Sequence, residues 1–372
     1  MARRVVVTGS AGMLGGALAR RLVLDGHDVV GVDLRPQDDP LLAARHRVAD
    51  VRDLPLMSEV MAGADAAVHC AGALPSYPAD QIHDLIVGGT GTVLEAGRRA
   101  GLERLVHISS TAVYGLPKLV PTPEEHPRAP VDPYTRAKAA AEELAERYRA
   151  GGMCVPVLRP KTFLGPGRMG LFAMLFEWAE EGRNFPVLGR GDKRIQMFAI
   201  EDLVDAVALV LDAPAEVAGD TYNLAAAEFG TLREDFQAVL DAAGHGKRVV
   251  SLPAGPAVAG LRLLERTRLS PVYGRLALKL LADSYVSIDK ARDRLGFRPR
   301  LSNRDAILRT YAWWREQRRA GGTTGTVTGT VTGTAPGTVT GTAPGSATGA
   351  RAGSTSRDAW RQGALSLAKI FF

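Results

Sequence analysis

The stretch Thr8-Gly9-Ser10-Ala11-Gly12-Met13-Leu14-Gly15 constrains this chain more than any other. An apolar run, Arg4-Val5-Val6-Val7, leads into it, and a helical pattern from Ala17 to Leu24 follows. A glycine-rich turn between a buried strand and a helix is a phosphate-binding device. Gly9 permits the tight turn, Gly12 lets the backbone approach a pyrophosphate, and Gly15 lets the helix pack close to the strand. The helix start, with Ala11, Gly12, Met13 and Leu14 around it, presents unpaired N–H groups and a partial positive charge to the phosphates. The sequence context favours a dinucleotide-binding turn over a purely structural one.

Asp28 to Asp33 reads as a second strand. Asp33 ends it, about twenty residues beyond the glycines, where an acid accepts hydrogen bonds from the adenosine ribose. A carboxylate there repels a 2′-phosphate, so NAD is expected in preference to NADP, and Arg35 blunts that preference. Asp50 and Val51 follow a short third strand and are placed toward the adenine. Asp65 to Gly72 reads as a fourth strand whose small residues Cys70, Ala71 and Gly72 let the cofactor lie against backbone.

At 372 residues the chain exceeds what one core usually serves, so two unequal regions are expected. The formal charge of +6 does not point to nucleic acid, because half of the excess lies beyond Gly321, in Arg351, Arg357, Arg361 and Lys369 against Asp358. Two cysteines, Cys70 and Cys154, suit a reducing, cytoplasmic setting and are expected to be buried as small hydrophobes. No secretory leader is expected, since residues 5–7 already belong to the first strand. No apolar stretch approaches the roughly 20 residues that span a bilayer. The histidines lack metal-ligand spacing, and His69 and His107 read as satisfied core residues.

Strand runs near 4–8, 28–33, 65–70, 104–109 and 153–158 alternate with helical patterns at 13–25, 54–62, 80–100 and 133–150. The alternation predicts an α/β, Rossmann-like doubly wound parallel sheet with a smaller C-terminal substrate domain. Residues 1–165, completed by strands near 194–225, form the NAD-binding part, and 166–319 the substrate-binding region. Longer helices are expected at 170–182, 201–212, 231–243, 256–282 and 303–319, with short strands near 185–188, 194–199 and 221–225. Residues 320–353 repeat Thr-Val-Thr-Gly-Thr-Ala-Pro-Gly at 330–337 and 338–345 and read as a disordered Gly/Thr-rich linker. In 354–372, Trp360, Ala364, Leu367 and Phe371 recur at helical spacing. That tail is either a short helix that docks an unknown partner or a frayed end.

The chemistry lies in two segments, His107 to Gly115 at the end of the fifth strand and Pro133 to Lys138 opening a helix. Tyr134 and Lys138 are four apart and share a helix face. A free tyrosine, with a pKa near about 10, is a poor base, and a neighbouring ammonium favours its phenolate. A serine hydroxyl at the strand end orients a substrate oxygen.

With these residues the chain resembles the extended short-chain dehydrogenase/reductases, in the NAD-dependent epimerase/dehydratase group. The matching motifs are Thr8 to Gly15, Asp33, Ser109 to Gly115, Tyr134 with Lys138, and Leu158-Arg159-Pro160 leading to Gly165-Pro166-Gly167. Glu201 to Ala206, Tyr222-Asn223-Leu224 and Leu295 to Pro299 continue it. The resemblance implies a bound nicotinamide cofactor, with Tyr134, Lys138 and Pro160 beside it. It implies Tyr134 as base, Lys138 as its electrostatic partner and Ser110 as the substrate-orienting hydroxyl. It also implies a homodimer through helices 80–100 and 133–150.

Departures from the family narrow the expectation. The Asp-Glu pair of the sugar-nucleotide 4,6-dehydratases is Thr111 and Ala112 here, so elimination of water is not expected. An asparagine common ahead of the Gly-Thr of the following helix is Ile86. The Asn and Arg that hold a hexose diphosphate become Thr162 and Ile195, with Arg194 one residue away, leaving Arg168, Arg183, Arg190 and Lys193 as candidate phosphate contacts. The leading expectation is an NAD-dependent epimerase of a nucleotide sugar or related carbohydrate. The alternative is a 3β-hydroxysteroid dehydrogenase-like or carbonyl oxidoreductase, lined by Phe163, Leu164, Leu171, Phe172, Met174, Leu175 and Phe176. A non-catalytic NAD sensor is a third reading, against which Ser110, Tyr134 and Lys138 argue.

Overall fold

A computed structural model describes residues 2–167, 172–253, 255 and 281–321. Arg168, Leu171, most of the helix expected at 256–282, and the whole of 322–372 lie outside the described residues.

The strands are β1 (Arg4–Thr8), β2 (Asp28–Asp33), β3 (His46–Val48), β4 (Ala66–His69), β5 (Arg104–Ile108), β6 (Val157–Pro160), β7 (Phe163–Leu164), β8 (Phe185–Leu188), β9 (Phe198–Ala199), β10 (Thr221–Leu224) and β11 (Val249–Leu252). The helices are α1 (Met13–Leu24), α2 (Pro40–Ala43), α3 (Leu54–Met61), α4 (Ala79–His83), α5 (Gly89–Ala100), α6 (Pro133–Ala150), α7 (Phe172–Glu180), α8 (Ile200–Asp212), α9 (Ala215–Ala218), α10 (Leu232–Ala243), α11 (Asp289–Leu295) and α12 (Asn303–Gly321).

Seven strands form one parallel sheet in the order β10-β6-β5-β4-β1-β2-β3. Residues alternate between its two faces, and both faces are dry, which is why the strands read as unbroken apolar runs. Val5, Val7, Val68 and Val106 pack beneath α1 and α8, whereas Val6, Ala67 and Leu105 pack against α3 and α5. A separate core joins α7, β8, α10 and α12 around Phe176, Trp178, Phe185, Phe236, Tyr311 and Trp314.

Two buried polar side chains order this second region, the first of them from helix α8, which packs on the sheet. Asp202 of α8 accepts hydrogen bonds from the Arg300 and Leu301 N–H groups, both at 3.0 Å. Asn303, at the start of α12, accepts from the Met197 N–H and donates to the Ile195 carbonyl and to Asp235.

Three elements depart from the sequence expectation. The strand expected at 153–158 begins only at Val157, because Pro156 has no N–H to give the ladder. The chain already runs beside β5 there, with Leu105 and His107 donating to the carbonyls of Cys154 and Pro156. The single helix expected over 80–100 is two helices joined by a π-helical turn, Asp84–Gly88, at the Gly88-Gly89 pair. The strand expected at 194–199 is regular only at Phe198–Ala199, with Arg194 and Ile195 in isolated bridges to Thr231 and Ser284. Its place is partly taken by a side chain, since Gln196 accepts from the Val286 N–H through its own Oε1.

Phe176 is fully buried, 5.2 Å from the Tyr311 ring and 5.8 Å from the Trp314 ring. Phe176→Ala is expected to cost about 3–5 kcal/mol in urea unfolding. A change under about 1 kcal/mol would show that this second core does not carry the fold.

Candidate active site

The glycine turn has the geometry its sequence implies. Gly9 has φ +73°, and a Cβ there would lie 2.7 Å from the Ala71 nitrogen. A Cβ on Gly15 would sit 2.1 Å from the Gly9 carbonyl oxygen, so helix and turn are in direct backbone contact. Gly12 caps α1 without any side-chain bond, so the first N–H groups of the helix, those of Met13 and Leu14 among them, carry no side-chain cap.

Asp33 reaches the same turn. Its carboxylate accepts from the Ala11 N–H at 3.2 Å and the Arg35 N–H at 3.0 Å. Arg35 folds back to donate to the Ala11 carbonyl at 2.7 Å, with its side chain 66% exposed. Asp50 is engaged elsewhere: Arg52 bonds its carboxylate and holds it below the usual range. Val51 is buried, and a Cβ on Gly89 would lie 3.0 Å from it.

Cys70-Ala71-Gly72 runs from the glycine turn toward helix α6. The Cys70 N–H donates to the Thr8 carbonyl at 3.2 Å. At the other end, a Cβ on Gly72 would lie 3.9 Å from both Lys138 Nζ and Ile86. Both cysteines are free and only half-buried, a correction to the fully buried thiols expected.

Helix α6 begins where Asp132 accepts from the Thr135 N–H at 2.8 Å in a capping box, with Pro133 in the first turn. That fixes Tyr134 in the opening turn, packed with Ala73, Ile82, Ile86 and Ala137. Lys138 is 8% exposed and donates to the Ile108 carbonyl at 2.8 Å. Burial pushes its amine down to about 8, against the opposing pull of Glu142 and Cys70. Two residues past Ile108, Ser110 caps a short 3₁₀ turn, Thr111–Tyr114, accepting from the Ala112 N–H at 3.2 Å. Its hydroxyl proton stays available to a substrate oxygen. Pro160 ends β6 beside this turn, where the Thr111 hydroxyl donates to its carbonyl at 3.4 Å.

The two core histidines differ. His69 meets the hydroxyls of Thr8 at 2.8 Å and Thr90 at 3.2 Å, and burial depresses it to about 3. His107 has no hydrogen-bond partner for either ring nitrogen among the described residues, so the expectation of a satisfied residue fails. Its cross-strand neighbour is the His69 ring, 5.8 Å away, and burial keeps it neutral.

The candidate phosphate contacts are dispersed. Arg183 pairs with Glu181 at 2.9 Å and Lys193 approaches Asp192 at 3.8 Å. Arg194, one residue before Ile195, lies over the adjoining rings of Phe229 and Tyr285, at 4.5 and 5.2 Å from their centroids. Thr162 is exposed, while Ile195 packs against the second core. Leu164, Leu175 and Phe176 are themselves core residues. The sequence reading missed a buried acid, Glu142, one turn beyond Lys138 and paired with Arg159 at 2.6 Å. Its one signal was the spacing 134, 138, 142 along a single helix face. Among the described residues no cluster of metal-ligating side chains occurs, and no helix is long and apolar enough to cross a membrane.

Arg35 offsets the charge by which Asp33 repels a 2′-phosphate. Arg35→Ala is therefore expected to raise the preference for NADH over NADPH about tenfold, read from the two dissociation constants. An unchanged ratio would remove Arg35 from cofactor selection.

The NAD dependent epimerase/dehydratase family model matches residues 5–225. The uncharacterized protein y4nG of Sinorhizobium fredii is 34% identical over 326 residues, 87% of this chain and 81% of that protein. A 3 beta-hydroxysteroid dehydrogenase/Delta 5-->4-isomerase of Mycobacterium tuberculosis is 30% identical over 339 residues, 84% of this chain and 90% of that one. In fold, the UDP-glucose 4-epimerase of Thermotoga maritima, solved with UDP-glucose, superposes with a TM-score of 0.70 at 21% identity, covering 85% of this chain and 99% of that chain. The parallel sheet, the glycine turn and the matched family together make this chain a member of the NAD dependent epimerase/dehydratase family, an enzyme whose cofactor is NAD.

Proposed function

We propose that the chain is a redox-neutral epimerase of a nucleotide sugar or related carbohydrate, with Tyr134 as base. One observation carries the reading: the Lys138 amine lies against the segment leaving the glycine turn, one helical turn from Tyr134 and two residues from the Ser110 strand end. Residues 1–165, with the strands near 194–225, would hold NAD, and 166–319 the substrate. Gly9, Ala11, Gly12, Met13 and Leu14 would receive the pyrophosphate, Asp33 the adenosine ribose, and Cys70, Ala71, Gly72 and Pro160 the remainder. Asp50 and Val51 would approach the adenine through backbone, since the Asp50 carboxylate is already bonded to Arg52.

NAD, when bound, accepts a hydride and returns it. The protein's own work is proton handling and placement. Ser110 donates to the substrate oxygen and holds it toward Tyr134. The Tyr134 phenolate, favoured by the Lys138 ammonium, takes the hydroxyl proton and gives it back after the keto sugar has turned over in the crevice. Thr111 and Ala112 offer no acid-base pair for loss of water, which supports epimerisation over dehydration. The likeness of fold to the Thermotoga UDP-glucose 4-epimerase supports a nucleotide-sugar ligand.

A second reading, net oxidation of a hydroxyl to a ketone, is favoured by the mycobacterial hydroxysteroid dehydrogenase relative. Purified protein incubated with UDP-hexoses is expected to interconvert two epimers with no net NADH. Stoichiometric NADH release with a ketone product would establish the second reading instead.

Tyr134→Phe is expected to lower kcat by about 10²–10⁴-fold, with the NADH dissociation constant within about threefold of the wild type. Wild-type turnover in that variant would exclude Tyr134 as the base. The rate should also fall above about pH 8, because Lys138 is charged below its pKa of about 8 and neutral above it. A rate that stays level through that region would separate the lysine charge from catalysis.

A further inference from the structure

We propose that Ser109 and Glu142 are positioning residues: their buried bond fixes the strand end that carries Ser110 against the helix that carries Tyr134. The proposal rests on the roles given above to those two residues and adds how they are held together.

Glu142 and Arg159 are buried, and the pair is bidentate, Nε to Oε1 at 3.0 Å and Nη2 to Oε2 at 2.6 Å. Burying such a pair costs desolvation that well-packed apolar side chains would avoid, so it is a poor device for stability alone. Every direction out of the carboxylate is used. Ser109 Oγ donates to Oε1 at 2.5 Å, and Arg128 donates to Oε2 at 3.2 Å. Arg159 continues to the Tyr114 hydroxyl at 2.7 Å, which donates to Asn223 Oδ1 at 2.9 Å. One carboxylate therefore joins α6 to the ends of β5 and β6 and, through Tyr114, to β10.

The pattern along α6 gives the network its catalytic meaning. Lys138 grips the carbonyl of Ile108, and one turn later Glu142 grips the hydroxyl of Ser109. Two successive turns thus hold two successive residues, and the next residue is Ser110. A misplacement of about 1 Å at a reacting group costs on the order of 10²-fold in rate.

Glu142→Gln would leave the Arg159 guanidinium buried without its counter-charge and is expected to unfold the protein. The test therefore uses Ser109→Ala, which keeps the ion pair. Its kcat for epimer interconversion is expected to fall about tenfold, with KM and the NADH dissociation constant within about twofold, and Ser109→Thr should restore most of the rate. Amide hydrogen exchange of the peptide 108–115 needs no substrate, and in Ser109→Ala it should quicken about tenfold while the rest of the sheet is unchanged. Wild-type exchange in Ser109→Ala overturns the proposal whatever the turnover. So does a wild-type kcat, or a loss that Ser109→Thr leaves unrepaired. If the wild-type protein turns over no sugar, the sugar reading fails by itself and the exchange measurement alone decides the positioning.

Discussion

Much of this molecule is arranged around a single ammonium group taken out of water. Lys138 sits almost wholly inside the protein, its amine bonded to the Ile108 carbonyl at the end of a central strand. Removing a charge from water is costly, and burial pushes that amine down to about 8. On the proposed reading the burial makes the group useful: in a weakly polarisable surrounding the ammonium would act more strongly on the Tyr134 phenol than in solvent, while its bond to the Ile108 carbonyl holds it in place.

The second constraint is how closely backbone meets backbone. The residue after β1 is a glycine because Ala71 leaves no room for a side chain, and Gly15 is one because the Gly9 carbonyl lies against it. The turn and the segment Cys70-Ala71-Gly72 are therefore in contact, and that segment ends beside the Lys138 amine. On the proposed reading, a cofactor lying along it would pass from the start of helix α1 to Lys138 without crossing a side chain larger than cysteine.

Legibility of these features in the sequence followed whether the information was local. Strand β2 and helix α6 were readable to the residue, the first from its apolar run and terminal Asp33, the second from Pro133 and the four-residue spacing of Tyr134 and Lys138 after it. The π turn between α4 and α5 was half-readable, because Gly88-Gly89 permits such a turn without requiring one. Glu142 was not readable. It stands beside Glu143, which is exposed, and only the placement of Arg159 on a distant strand decides which of the two acids is inside. His107 failed for the same reason: a histidine in a strand finds partners or lacks them according to what its neighbours on adjacent strands offer.

Lys138→Met keeps the length of the side chain and removes its charge and its bond to Ile108, so it addresses the central claim directly. With turnover and NADH affinity measured on the same folded preparation, the account predicts that kcat falls by about 10²-fold or more and that NADH binds several-fold more weakly. A folded Lys138→Met protein that turns over and binds NADH like the wild type would contradict it.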